Sequence, residues 1–414
     1  MFVLLVREWS KADSIESMHS MTQTSDGGYA VIGTSHFAGA TSLEDETLWL
    51  VKTDASGNMQ WDKMYPGLYG ARGFSVIQTN DDGFVFAGSA KPSDYDPYRY
   101  LLVKTDSAGN AEWNKTYGEG RHGFYLVVQT DDGGYALVGA LDDYGMTYFW
   151  LIKTDADGNG NAQWNNSCPG IARSMVKTSD GGYALAGRGI RSTFWLAKTD
   201  VDGNIKWEKE YEMPDTVSAA LDVFETSDGG YVLAGNLYRS IYDDPLIAQD
   251  DLGLTQQALW MIKTDPVGNT VWNKTYFGAV PGSAGSVIQT GDGGYAATAS
   301  SYLVKTDTVG NERWNKTYGE SVGAWLLAQT NDGGFVLAGS TSSNGGDFWL
   351  TKTDSDGKVE WIKTYGRQRY TILALAAIEV KDIVTELETK TVVHASTIAV
   401  THTESTVFFP SFLG

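Results

Sequence analysis

The chain has 414 residues, with 48 Gly, 9 Pro, 14 Trp and 22 Tyr, which suits a large aromatic core cut by many tight turns and argues against a collagen-like or disordered chain. A formal charge of −20 repels nucleic acid and anionic membrane surfaces, so neither is expected as a partner. Cys168 is the one cysteine, which excludes an internal disulfide, a cysteine-based metal cluster and haem attachment.

The opening, MFVLLVREWSK, reaches Arg7 after too short an apolar run for a signal peptide, and Trp9 follows at once. One unit then repeats along the chain. A DGGY-like turn recurs at Asp26, Asp82, Asp132, Asp180, Asp228, Asp292 and Asp332. KTD follows each at Lys52, Lys104, Lys153, Lys198, Lys263, Lys305 and Lys352, and a Trp follows that at Trp61, Trp113, Trp164, Trp207, Trp272, Trp314 and Trp361. Each unit holds four short segments rich in Val, Leu, Trp, Tyr and Thr, divided by Asp/Gly/Asn turns. No stretch sustains a 3.6-residue period, so the pattern is all-β. Four strands per repeat predict a seven-bladed β-propeller of four-stranded antiparallel blades over residues 1–366. Trp9 copies the fourth-strand Trp. Either its strand closes the ring, or it joins strands from 370–412 as an eighth blade.

The repeat, T-x-DGG-Y-x-x-x-G followed by W-L-x-K-T-D-x-x-G-N-x-x-W-x-K-T-Y, resembles the repeats of archaeal and bacterial cell-surface β-propeller proteins over about residues 9–366. It is more distantly similar to the tryptophan-docking repeats of quinoprotein dehydrogenases. The first resemblance implies an extracellular or cell-surface location and no common activity. The second carries no chemistry here: the Asp-to-Trp spacing is one residue shorter in six units, and a paired-cysteine feature has only Cys168 to draw on.

Most repeated residues read as scaffold. Twelve Trp fall in two columns: the seven above, and Trp49, Trp150, Trp195, Trp260 and Trp349, where the other units carry Leu101 and Tyr302. Once-per-blade aromatics are expected to pack between blades. The KTD Asp is expected to cap a hairpin turn by accepting backbone N–H groups, with Gly in the left-handed region. There is no G-x-S-x-G, H-E-x-x-H or phosphate-binding glycine loop, and the five His are scattered. No catalytic residue and no cofactor is assigned.

Antiparallel strands place the DGG and DxxGN turns on one face and the variable connections on the other. These connections include 91–100, 141–149 and 236–257, and the ligand face is expected there. Its candidate residues are Tyr95, Tyr98, Asp142, Asp143, Tyr144, Tyr238, Tyr242, Asp243 and Asp244, suited to a glycan or protein ligand. The third unit's KTDADGNGNAQW (153–164) is two residues longer between Asp and Trp than any other. It spaces Asp155, Asp157, Asn159 and Asn161 as calcium ligands, with Gly160 at the turn and Asn166 where a bidentate Glu would stand. A structural calcium ion is the one metal considered. Sequons place candidate glycans on Asn114, Asn165, Asn273 and Asn315, all after a fourth-strand Trp.

The Thr-rich extension 367–414 favours extended structure, and residues 370–414 are candidates for self-assembly by strand addition. Its longest apolar run is too short to span a bilayer. The sequence therefore predicts a soluble, non-catalytic extracellular or cell-surface propeller for ligand or protein binding. The alternatives are a subunit of a surface layer or filament, and a polysaccharide-active enzyme acting on the variable face.

Overall fold

The computed structural model describes residues 15–36, 47–65, 69–93, 95–118, 124–143, 146–161, 167–169, 171–214, 216–239, 256–276, 284–318, 322–341, 347–366, 400–402 and 405–407. Blade 1 is a sheet of β1 (Ile15–Gln23), β2 (Tyr29–His36), β3 (Thr47–Thr53) and β4 (Met59–Tyr65), paired in chain order and antiparallel. Blades 2 to 7 repeat this over residues 69–117, 124–169, 171–211, 216–276, 284–317 and 322–365. The first strands of successive blades lie side by side around the axis, and the fourth strands form the rim. Seven blades, not eight, stand among the described residues, and none of these is helical. The propeller unit runs from Asp13 to Gly366. In the other unit, residues 1–12 and 367–414, the structure describes a hairpin of Val400–His402 and Ser405–Val407.

Each blade is held by two turns and a lysine ammonium, buried in six of the blades and half-buried at Lys153 of blade 3. Asp54 Oδ1 accepts the N–H groups of Ser56 (2.9 Å) and Asn58 (2.7 Å), and Gly57 turns the chain at φ 72°. The same turn forms at Asp106, Asp155, Asp200, Asp265, Asp307 and Asp354. In the first turn, Asp26 accepts from the Thr24 hydroxyl and the Gly28 amide. The buried Lys52 ammonium donates to Asp26 (2.7 Å) and to the Thr53 carbonyl (2.8 Å), tying the two turns together. A lysine needs such partners to be buried while charged. The pair recurs in all seven blades. In blade 2 its acid is Asp81, not the Asp82 expected from the DGG pattern. The sequence there is NDDG, and Asp82 occupies the left-handed position (φ 62°) that glycine fills elsewhere.

Neighbouring blades are latched by the end of one fourth strand and the second tight turn of the next blade. Tyr65, in β4, donates its hydroxyl to the Gly109 carbonyl at 2.9 Å, and Lys63 donates to Asn110. The Tyr bond recurs from Tyr117, Tyr211, Tyr276, Tyr318 and Tyr365. Trp61 lies against Gly109 and meets Phe84 edge-on at 5.7 Å. At six seams the aromatic of the DGG-aromatic motif thus packs on the preceding blade's Trp, also in Trp113–Tyr135, Trp207–Tyr231, Trp272–Tyr295, Trp314–Phe335 and, across the closure, Trp361–Tyr29. Nearer the axis, turn amides of Ser25, Asn80, Ser179, Ser227 and Gly291 donate to Gln78, Gln129, Glu225, Gln289 and Gln329 of the next blade.

Blade 7 closes on blade 1 through these devices and through Met18 N–H to Ser340 Oγ (2.9 Å), both of these blades having four strands of their own, while in blade 3 the fourth position is split into Gly160–Asn161 and Ser167–Pro169. The Trp9 strand expected to close the ring lies outside the described residues. The seam between blades 3 and 4 departs from the pattern. Asn166 and Cys168 stand at the Lys and Tyr positions of the latch, and a Lys177–Asp131 ion pair takes the place of the amide-to-Gln bond.

Two outcomes follow from these bonds. Burial opposes ionisation of Asp26, Asp81 and Asp228, but their Lys and Thr partners and a turn amide hold them down at about 2. At Asp132 and Asp332 the Lys bond itself is the largest influence, again giving about 2. Folded values below unfolded ones mean that this stabilisation is complete above the ordinary carboxylate range, about 4, and is lost as pH falls toward 2. Acid unfolding followed by Trp fluorescence is expected to be steep in that window, and Asp332→Asn to make it shallower. Tyr276→Phe, which strips the Gly310 carbonyl of its donor, is expected to cost about 1 to 3 kcal/mol in denaturant unfolding.

Candidate functional site

On the face opposite the tight turns, the structure describes the blade 2 connection best. A turn closes it, with Ser93 Oγ donating to Asp96 at 2.6 Å and Asp96 N–H to the Ser93 carbonyl. Tyr95 at its tip is 97% exposed. Tyr98, half-buried, has the Lys91 ammonium 5.0 Å and the Arg72 guanidinium 5.9 Å from its ring centroid. Cations over an aromatic face fix the ring and leave a mixed aromatic and cationic surface.

The other expected ligand residues are placed differently from a loop. Asp142 and Asp143 lie in the second strand of blade 3 (Tyr135–Asp143), paired with Thr147 and Met146, so the 141–149 connection is mostly a lengthened hairpin. Tyr238 belongs to the second strand of blade 5 (Tyr231–Arg239), where its hydroxyl accepts from Asn236 Nδ2 at 3.0 Å. Continued pairing of β-prone residues absorbs these positions. Tyr144, Tyr242, Asp243 and Asp244 lie outside the described residues.

The 153–164 stretch forms the common turn. Asp155 Oδ1 accepts the amides of Asp157 (3.0 Å) and Asn159 (2.7 Å), and its Oδ2 accepts Asn159 Nδ2 (3.1 Å). Gly158, at φ 72°, makes the bend, whereas Gly160 is extended and pairs with Thr154. The two additional residues therefore fall after the turn, within the span 162–166, and pairing resumes in the usual register at Ser167–Pro169. Asn161 pairs with Lys153, and its side chain lies outside what is described. Among the described residues no three His, Cys, Asp or Glu side chains converge as metal ligands. Asn114, Asn273 and Asn315 are exposed on fourth strands, while Asn165 lies outside the described residues.

The repeat pattern did not reveal the axial cavity. First strands carry a β-bulge at one level: between Met18 and Ser20, Gly73 and Ser75, Ala172 and Ser174, Ala220 and Asp222, and Ala324 and Leu326. A bulge re-aims its extra residue, and His19, Phe74, Arg173 and Leu221 line a cavity of about 420 Å³ on the axis. The next position stitches neighbouring blades. Ser20, Ser75 and Ser174 Oγ accept the amides of Val76, Val127 and Val223, and Asp222 Oδ2 accepts that of Val287 at 2.8 Å. Asp222 also accepts from the Ser174 and Ser286 hydroxyls and from Val223 N–H. It keeps some surface in the cavity but lies deep within it, and burial pushes its carboxyl above the usual range against those four donors.

No protein-family model matches the chain, and no curated protein matches it. Solved structures of similar fold do. The BP39L lectin of Burkholderia pseudomallei is 10% identical, with 86% of this chain and 100% of that chain covered, at a TM-score of 0.55. YCF48 bound to D1 peptide is 10% identical over 85% and 97%, at 0.50. A puromycin hydrolase mutant complexed with PGG is 12% identical over 86% of this chain and 54% of that one, at 0.52. Identities this low show the fold alone, a β-propeller.

Asp222→Leu removes the acceptor of four donors at once and is expected to cost about 2 to 4 kcal/mol in denaturant unfolding. Asp222→Ser, which restores the side chain used in blades 1, 2 and 4, is expected to recover part of that loss.

Proposed function

We propose that this propeller is a non-catalytic binding protein of the cell exterior, holding a glycan or protein ligand on the face of its variable connections. The observation that carries this reading is the blade 2 connection: a fully exposed Tyr95 beside a Tyr98 flanked by Lys91 and Arg72. An aromatic ring with polar neighbours stacks on sugar faces and anchors protein interfaces, and it costs little side-chain entropy to fix. The tight-turn face offers no comparable variety, because its turns repeat the same internal hydrogen bonds. Propellers of this fold include a lectin and one bound to a peptide, which is in keeping with such a role.

The exterior location rests on the resemblance of the repeat, and the exposed sequon residues Asn114, Asn273 and Asn315 favour it. Glycans there would shield the unpaired outer edge of the fourth strands. Self-assembly through residues 370–414, a structural calcium ion near Asp155 and a polysaccharide-active variable face are the remaining alternatives.

The test is binding of the full chain to glycan and peptide arrays, followed by Tyr95→Ala and Tyr98→Ala. Each variant is expected to weaken the captured ligand by roughly tenfold or more, with unfolding unchanged for the exposed Tyr95 and modestly eased for the half-buried Tyr98. Ligands bound equally well by both variants would remove the blade 2 connection from the site.

A further inference from the structure

We propose that the axial cavity is a second binding site, for a small organic carboxylate whose acid group meets Arg173 and whose apolar body lies against Phe74 and Leu221. The cavity and its residues are separate from the variable-face connection, so this site stands independently of the ligand assigned there.

Three observations carry it. First, the bulge column ignores the repeat. It reads His19, Phe74, Tyr125, Arg173, Leu221, Gly285 and Trp325, seven different residues in seven blades. Five positions further on, every blade has Thr: Thr24, Thr79, Thr130, Thr178, Thr226, Thr290 and Thr330. A position required by blade geometry repeats, as that Thr and the Trp of the latch do. Five members of this column, His19, Phe74, Arg173, Leu221 and Gly285, line one cavity, and a position that differs in every blade is not serving the blade.

Second, the charge in the cavity is sorted. Asp222 is the one acid among the described residues of the wall, and each of its oxygens already accepts two hydrogen bonds, which fills the lone-pair capacity of a carboxylate. It is held as a stitch between blades 4, 5 and 6 and has no acceptor position to spare for a ligand cation. Arg173 is exposed and lines the same cavity, presenting a planar fork of donors suited to a carboxylate. On a chain of net charge −20, a guanidinium on the axis is a local attraction for anions.

Third, the rest of the wall has a sizeable apolar part beside its four serines, Ser20, Ser75, Ser174 and Ser286. Leu126, Leu221 and Leu326 line it, and Phe74 is set by an edge-on contact with His19 at 5.4 Å. An inorganic anion would leave that surface uncovered. About 420 Å³ is the range of cavities that enclose small organic ligands.

The experiment uses the full chain and isothermal calorimetry with phenylacetate, indole-3-acetate and hexanoate, against phenylacetamide and inorganic phosphate. At least one of the three acids is expected to bind, with phenylacetamide and phosphate weaker by about tenfold or more. Arg173→Gln is expected to lose a comparable factor, Arg173→Lys to restore part of it, and Leu221→Trp to block binding by filling the cavity. Tyr95→Ala is expected to change nothing. Melting curves of each variant show that it is folded. The proposal is overturned if none of the acids binds, if the amide or phosphate binds as well as the acid, or if a folded Arg173→Gln variant binds normally.

Discussion

Everything in this ring depends on one close approach, that of a tryptophan to a glycine in the next blade. A Cβ at Gly57, Gly109, Gly158, Gly268, Gly310 or Gly357 would lie 2.7–2.9 Å from the indole of the preceding blade's Trp. These glycines also have positive φ, so the turn and the contact demand the same residue twice over. The Tyr four positions after the Trp bonds that glycine's carbonyl, and the Trp's edge meets the aromatic of the DGG turn. Spacing and tilt between blades are therefore set by rigid groups at the rim.

A ring fixed at its rim and at its turn face leaves its axis and its opposite face free to vary. Blade interiors are filled with Val, Leu and Ala on both sides of the second and third strands, as in Leu48, Leu50 and Val51. The bulges occur where first strands meet the axis, and there neighbouring blades are joined by Ser or Asp side chains accepting a backbone amide. That joint is local, so the adjacent bulged residue can be histidine, arginine or phenylalanine without altering the blade.

Columns were what the sequence made legible. Trp61, Lys52, Asp54 and Gly57 each recur with fixed spacing, the later Trp164 of the third unit excepted, and the structure gives each a single hydrogen-bonded or packed role. Sequence and structure part where one residue must be placed without its column. The DGG pattern points to Asp82 as the turn acid because it precedes Gly83, but the Thr79 and Lys104 partners select Asp81. Calcium-loop spacing puts the bend at Gly160, but the turn already closes at Gly158, and the extra length lies further along the strand. Asp142 and Tyr238 look like loop residues because no local signal tells how far a hairpin continues. The axial cavity is hidden from a repeat pattern because its residues do not repeat. That lack of repetition, between columns that do repeat, was itself the available signal.

Each blade is one uninterrupted stretch of chain, in phase with the repeat, and this bears on how the molecule is assembled in time. Strand pairing and the Lys–Asp bond join residues close in sequence, so blades can form without waiting for the chain ends. The bonds from Met18 to Ser340, Asn58 to Lys363 and Gly57 to Tyr365 span 322, 305 and 308 residues. For a loose chain, that closure would carry a large entropic cost. Once the six earlier seams have curved the chain into an arc, its two ends already face each other, and most of the search has been done. The last seam then forms from geometry accumulated by the earlier ones, which lets a long chain reach a closed, non-local topology through mostly local steps.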